Sequence, residues 1–262
     1  MKKLLSLGLL ALLCPVCALA QSAFDGTWKI DMSKVQMPKK PDVLVLQNGM
    51  YECKTCVPPI DIKADGHDQP ITGHPYYDSM AIQVVDAHTV KETDKKGGKV
   101  VATSTTTVAP DGKTAHFEFS DSSNTNGAPV TGNGELKKVA AGPTGSHAFS
   151  GSWVTANLAS LSDNATVLTY KDAGGTLNMT TPTGQSYEVK TDGTEAPYKG
   201  DPGITSVTVK QTGKTSMVET DKRDGKVIGV IKSTVSADGK TMNVVYEDTL
   251  HDRSMSFVAV KQ

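Results

Sequence analysis

The segment Glu92-Thr93-Asp94-Lys95 returns as Glu219-Thr220-Asp221-Lys222, and both copies belong to a longer repeat that decides the fold. Residues Lys63–Thr114 align without a gap on Lys190–Thr241 at a constant offset of 127 (190 − 63 = 127), with about 20 identities in about 50 positions. Self-similarity of this kind is typical of one structural unit used twice. The sequence therefore predicts two equivalent domains.

Turn signals and alternating residues predict that each unit is all-β. Asn48-Gly49 separates two short apolar runs, and this dipeptide favours a two-residue hairpin because both central positions need a positive φ. Further turn signals lie at Lys96-Gly97-Gly98 and Pro110-Asp111-Gly112. Between the turns lie four β-branched segments: Met80–Val85, His88–Asp94, Lys99–Val108 and Thr114–Ser120. No stretch has a sustained helical period, so the spacing predicts an antiparallel meander.

The repeat also indicates which face of the strands is buried. Alternate residues of one strand are apolar in both copies: Ala115, Phe117 and Phe119 align with Met242, Val244 and Tyr246. Because side chains alternate across a strand, these residues should point inward together. An antiparallel sheet with one apolar face can curl around its own interior, which also removes its exposed edges. We therefore expect two tandem antiparallel up-and-down β-barrels.

Each unit opens on the same short motif. Phe24-Asp25-Gly26-Thr27-Trp28 begins the first unit, and Phe149-Ser150-Gly151-Ser152-Trp153 begins the second. A glycine two residues before a tryptophan on the first strand, followed by a meander, resembles the start of lipocalin-like (calycin-type) barrels. The resemblance implies that Trp28 and Trp153 close one end of their barrels. The alternative for both tryptophans is simple filling of the core.

Composition predicts the boundaries of the domains. A signal peptide is expected at residues 1–20, followed by a first barrel at 21–140, a linker at 141–148 and a second barrel at 149–262. The linker region is rich in Ala, Gly, Pro and Ser, which is typical of a domain boundary. Cutting the chain there is expected to leave two separately soluble halves.

The first twenty residues predict export. Lys2 and Lys3 precede the apolar run Leu4–Leu13, and Ala18-Leu19-Ala20 supplies the small residues that a signal peptidase needs. We expect a periplasmic or secreted product. The net charge of −1 becomes −3 after cleavage, with 25 basic against 28 acidic residues, and the charges are interleaved. This balance offers no surface for nucleic acid, and no second apolar stretch predicts a membrane span.

Two cysteines remain after the predicted cleavage, Cys53 and Cys56. In an oxidising compartment, thiols this close are expected to form a local disulfide. A redox-active pair is the alternative, although the flanking residues predict a strand and a Pro-rich loop where a reactive thiolate would want a helix N-terminus. One Cys-x-x-Cys supplies half of a structural zinc site and nothing completes it, so no metal or cofactor is expected.

A loop that the repeat does not preserve is the other candidate site. Gly73-His74-Pro75-Tyr76-Tyr77-Asp78 aligns with Gly200–Thr205, which keeps only the glycine and the proline. His74, Tyr76 and Tyr77, together with the inward Phe117 and Phe119, are the residues expected to contact a ligand. The alternative is that the tyrosines cap the core with their hydroxyls in water.

Two functions from different classes agree with these observations. The first is an exported protein that binds a small apolar molecule inside one or both barrels. The second is a structural or interaction module of the cell envelope with packed barrels and no ligand. No nucleophile, phosphate-binding or dinucleotide motif occurs, so no catalytic residue is predicted. The sequence does not indicate an oligomeric state.

Overall fold

The computed structural model describes residues 22–124, 126 and 129–262. The predicted signal peptide at residues 1–20 lies outside the described residues. Within them the fold is almost entirely β, with a single 3₁₀ turn at Asp163–Ala165 and no α-helix. The prediction of an all-β protein is confirmed.

Twenty strands are formed. The first ten are β1 (Gly26–Gln36), β2 (Asp42–Gln47), β3 (Met50–Cys53), β4 (Ile60–Lys63), β5 (Gln69–Pro70), β6 (Ser79–Val84), β7 (Thr89–Lys96), β8 (Lys99–Val108), β9 (Thr114–Asp121) and β10 (Val130–Ala141). The other ten are β11 (Gly151–Leu161), β12 (Val167–Asp172), β13 (Thr176–Thr180), β14 (Ser186–Lys190), β15 (Asp192–Lys199), β16 (Ser206–Gln211), β17 (Ser216–Arg223), β18 (Lys226–Val235), β19 (Thr241–Asp248) and β20 (Arg253–Lys261).

The strands form two antiparallel meanders of ten strands each. The second barrel is closed and has the order β1-β12-β13-β14-β15-β16-β17-β18-β19-β20. The first barrel has the order β4-β3-β2-β11-β10-β9-β8-β7-β6-β5 and is nearly closed, because β4 and β5 at its two edges are not paired with each other. Two tandem antiparallel barrels were predicted, and this architecture is confirmed.

The strand that opens each half of the chain lies in the barrel of the other half. β1 pairs with β12 and β20, so Trp28 stands opposite Leu168 on one side and Lys261 on the other. β11 pairs with β10 and β2, so Trp153 stands opposite Lys138 and Asp42. The first barrel is therefore built from residues 42–161, and the second from 26–36 together with 167–261.

This grouping differs from the predicted division into 21–140 and 149–262. The predicted linker at 141–148 is the connection between β10 and β11, which pair along their length in one barrel. The segments that pass between the barrels are 37–41 and 162–166. The two opening strands share the Gly-x-Trp motif, and exchange of equivalent elements between similar units occurs in other proteins.

Local features agree with the sequence. At the first hairpin, between β2 and β3, Asn48 has φ 53° and Gly49 has φ 75°, as a two-residue turn of this kind requires. The bounds of β6–β9 recur in β16–β19 at the offset of the repeat, for example Ser79–Val84 and Ser206–Gln211. Turn chemistry and alternation are properties of a few adjacent residues, which is why the sequence predicts them.

The predicted inner face is buried in both barrels, although not to the same depth along its length. Ala115, Met242 and Val244 are fully buried. Phe117 and Phe119 are only half-buried, and their stacked rings lie over Gly134 and Gly132 of β10, where a Cβ atom would come within 3 Å of the rings. The missing side chains of these glycines make room for the two rings inside the first barrel.

Cys53 and Cys56 form the predicted disulfide, with 5.5 Å between their Cα atoms. Cys53 belongs to the core of the first barrel. Because the ring closed by the bond is short, the variant C53A/C56A is expected to lose only about 2 kcal/mol of unfolding free energy. Thermal unfolding of the variant beside the parent measures this loss. Unchanged stability, together with slower oxidation of a reduced substrate protein, would instead indicate a redox pair.

Candidate functional site

A pair of acidic side chains points into each barrel. On β7, Glu92 and Asp94 share the face of the buried Val90, and Asp94 is 6% exposed. On β17, Glu219 and Asp221 are 6% and 7% exposed. These residues stand in the repeat, and no sequence pattern singled them out as candidate site residues. Alternation from Val90 would have placed the first pair on the inner face.

In the second barrel the acid pair is hydrogen-bonded to tyrosine. The hydroxyl of Tyr187 donates to Oε2 of Glu219 at 2.7 Å, and Glu219 and Asp221 lie side by side. Burial raises the pKa of both carboxyls, and the charge of Glu219 raises that of Asp221 further. Two carboxyls buried this close to each other do not both ionise, so the pair retains a proton at neutral pH.

Three phenols surround this pair. Tyr187 packs against Tyr198 with 5.7 Å between the ring centroids, and Tyr170 is hydrogen-bonded to Tyr187. Burial and the nearby Glu219 raise the pKa of all three phenols, so they stay neutral at physiological pH. The interior here is polar and aromatic.

The first barrel reaches a similar arrangement with different tyrosines. Burial raises the pKa of Glu92 and Asp94, and their charges contribute to raising the pKa of Tyr51 and Tyr77. The repeat does not account for these phenols, because the residues 127 positions after Tyr51 and Tyr77 are an asparagine and an isoleucine. Each half therefore brings phenols to its acid pair from strands and loops of its own.

One oxygen of each pair has no partner. Among the described residues, Oδ1 of Asp94 and Oδ1 of Asp221 are buried and accept no hydrogen bond. A buried acceptor without a donor costs about 1–3 kcal/mol, and more when it is charged. The same unsatisfied atom occurs at the same repeat position in both barrels. The interior of each barrel therefore offers a free acceptor.

The predicted ligand loop lies against both barrels. The ring of Tyr77 stacks on His74 with 5.0 Å between centroids, and its hydroxyl donates to Nδ1 of His74 at 3.2 Å. Nε2 of His74 donates to the Pro58 carbonyl at 3.0 Å, and burial lowers the pKa of the ring. His74 and Tyr77 thus belong to the acid-pair side of the first barrel.

Tyr76 of the same loop reaches into the second barrel. Its hydroxyl donates to Oδ1 of Asp201 at 3.2 Å, and its ring occupies the space that a side chain at Gly203 would need. Asp201 in turn contributes to raising the pKa of Asp221. The structure therefore places Tyr77 near the acid pair of the first barrel and Tyr76 against Asp201 of the second. Phe117 and Phe119 line the first barrel only.

The two arginines of the sequence also lie at the junction of the barrels. Nε of Arg223 donates to the Gly203 carbonyl at 2.7 Å, beside Tyr76. Nη1 of Arg253 donates to Oδ1 of Asp42 at 3.2 Å and so joins the second barrel to the first. A cleft of about 370 Å³ lies here, lined by residues of both barrels that include Cys56 and His251.

Trp28 and Trp153 are buried in the cores of the second and first barrels, respectively. Their indole nitrogens donate to the carbonyls of Phe24 at 2.7 Å and of Phe149 at 2.8 Å. A lysine of the neighbouring strand lies over each ring: Lys261 over Trp28 at 5.3 Å from the centroid, and Lys138 over Trp153 at 4.6 Å. Neither lysine was predicted from the sequence to contact a tryptophan.

The fold and these interiors define a class, a two-barrel all-β protein with an acidic, tyrosine-lined site in each barrel. No protein-family model matches the sequence, and no curated protein is similar to it. In the described part of the chain, no group of three or more His, Cys, Asp or Glu residues is arranged to hold a metal ion. No helix among the residues described here is long and apolar enough to cross a membrane.

Proposed function

We propose that this chain is an exported binding protein that holds a small molecule inside one or both barrels. The observation that carries the proposal is the buried acid pair with its unsatisfied oxygen, present in each barrel. Burying ionisable groups costs several kcal/mol, and an apolar replacement of similar volume is often neutral or stabilising. A barrel that served only as a packed scaffold would gain nothing from such a pair.

The dimensions of the barrels support the proposal. An eight-stranded barrel is just wide enough to be filled by side chains or to hold one small ligand, and the diameter grows with the number of strands. Both sheets here have ten strands. Inward residues near the acid pairs, among them Phe119 and Tyr246, remain partly exposed, whereas the tryptophan in each core is fully buried. This gradient is what a site with an opening at one end requires.

Export is supported by two observations of different kinds. Residues 1–20 have the charged start, apolar run and small-residue end of a signal peptide. Cys53 and Cys56 form a disulfide, and such bonds persist in oxidising compartments outside the cytosol. A periplasmic or secreted location is therefore part of the proposal.

Native mass spectrometry of protein purified from its own host tests the function. We expect a mass excess equal to one or two small molecules per chain, lost on denaturation. The same measurement on the variant D94N/D221N should show less of the bound species. Fully empty barrels in the parent would contradict binding and would favour the alternative, an envelope module that acts through its outer surface. The densely packed cores around Trp28 and Trp153 are the observation that keeps this alternative in consideration.

A further inference from the structure

We infer that the ligand of each barrel is a small organic cation, a protonated amine with an apolar body, whose ammonium group lies between the paired carboxyls and the phenol rings. This inference rests on the proposed function and names the chemical class of its ligand. Neither the charge of the ligand nor the carboxyls as its site was expected from the sequence, which predicted an apolar molecule.

The charge of the barrel interior is the first observation that supports a cationic ligand. The lysine that follows each acid pair, Lys95 or Lys222, alternates to the outer face, where it bridges to Asp68 or Glu195. Neither lysine is therefore available to the buried carboxyls. In the first barrel the neighbouring Asp121 adds further negative charge at Asp94. Neither lysine neutralises the pair, so its charge is balanced by a proton or by a bound cation.

The second observation is a buried carboxyl oxygen in each barrel that lacks a hydrogen-bond donor. Oδ1 of Asp94 and Oδ1 of Asp221 each lack a donor, although more than nine-tenths of each residue is buried. An ammonium group carries three N–H donors and no acceptor, so it can satisfy this oxygen and a second carboxyl oxygen together. Hydrogen bonds between charged partners are about twice as strong as neutral ones. A purely apolar ligand would leave both oxygens unsatisfied.

The third observation is the group of tyrosine rings near each acid pair. Tyr51 and Tyr77 stand near the first pair, and Tyr170, Tyr187 and Tyr198 near the second. The faces of phenol rings attract ammonium groups, and this attraction strengthens when the site excludes water. The acid pair is repeated in the two barrels, but the tyrosines around it come from unrelated positions. This favours a shared ligand chemistry in the two barrels.

A comparison of two probes of equal size tests the inference. Phenethylamine is cationic at neutral pH, and phenethyl alcohol is its neutral counterpart. By isothermal titration calorimetry on the full chain, freed of small molecules, we expect the amine to bind at two sites. Its affinity should be at least about tenfold higher than that of the alcohol, because charge-assisted hydrogen bonds and cation–π contacts are lost with the charge. This comparison uses the unaltered protein, so it does not depend on the folding of a variant.

Variants then locate the sites. D94N should reduce the number of amine sites from two to one, and D221N should do the same in the other barrel. E118Q and E188Q alter exposed outer-face carboxyls of the first and second barrels and should leave both sites intact. Circular dichroism of each variant confirms that it is folded before it is titrated.

The outcomes separate the inference from the proposed function. Equal affinity for amine and alcohol, or amine binding unaffected by D94N and D221N, would overturn the cation while leaving barrels that bind. Release of a neutral or anionic compound from the purified protein would have the same meaning. If neither probe binds and the purified protein carries no small molecule, both proposals fail.

Discussion

The fragment 42–161 is expected to fold on its own as a barrel, and the shorter fragment 42–141 is expected not to fold. The longer fragment contains every strand of the first barrel, including β11. The shorter one lacks β11, and with it the buried Trp153. Truncation of one buried tryptophan costs about 3–5 kcal/mol, and a whole domain is stable by only about 5–15 kcal/mol. Loss of the strand as well should exceed what the remaining sheet can supply.

Thermal unfolding followed by circular dichroism measures the difference, with the chain 22–262 as the reference. A cooperative transition is expected for 42–161 and none for 42–141. Similar transitions in the two fragments would contradict the strand exchange, because they would mean that β11 contributes nothing to the first barrel.

A cut in the connection between β10 and β11 provides a second test of the same strand exchange between the barrels. The predicted linker at 141–148 lies here, and separation into two halves was expected from the sequence. With β1 held between β12 and β20, and β11 held between β10 and β2, the two pieces should instead remain together through gel filtration. They should separate only after denaturation, and separation in native buffer would restore the simpler tandem arrangement.

The second prediction with a large expected effect is that the folded protein becomes less stable as pH rises. Burial and a neighbouring carboxylate raise the pKa of Asp94 and of Asp221 from 3.8 to about 8. The folded protein then binds more protons than the unfolded chain between these values, so the free energy of unfolding falls as pH rises. The stabilisation is fully present below about pH 4 and is lost as pH rises through about 8. A decrease in Tm of roughly 10 °C from pH 5 to pH 9 is expected for protein free of small molecules.

The variant D94N/D221N should reduce this dependence, because asparagine cannot ionise and has nearly the same volume, whereas burial still raises the pKa of Glu92 and Glu219. Its Tm should therefore exceed that of the parent at pH 9. E118Q provides the control, since Glu118 is exposed on the outer face of β9. If the parent and D94N/D221N showed parallel pH profiles, Asp94 and Asp221 would not be the groups that titrate.

Much of the fold was predictable because its signals are local. Asn48-Gly49 predicts a turn through its own φ angles, and alternation along Thr114–Asp121 predicts the inner face through the geometry of one strand. The disulfide follows from the close spacing of Cys53 and Cys56 together with the predicted oxidising compartment. Each of these needs only short stretches of consecutive residues.

The candidate site was predicted only in part. His74, Tyr76 and Tyr77 were singled out because the repeat does not preserve them, and the structure places Tyr77 near the first acid pair and Tyr76 against Asp201 of the second barrel. Glu92 and Asp94 were overlooked because acidic residues in a repeat usually indicate a solvated surface. Period-two alternation alone would have placed them inside, whereas the phenols that meet them come from distant strands.

By itself, the sequence determined the strands, the turns, the inward face and the presence of two similar units, since all of these follow from backbone preferences and burial of adjacent residues. Only the tertiary structure decided which opening strand enters which barrel. Trp28 and Trp153 stand in nearly equivalent motifs, and a motif of a few adjacent residues does not distinguish the two arrangements. In the structure the short segments 37–41 and 162–166 carry the chain between the barrels, and Arg253 contacts Asp42 across them.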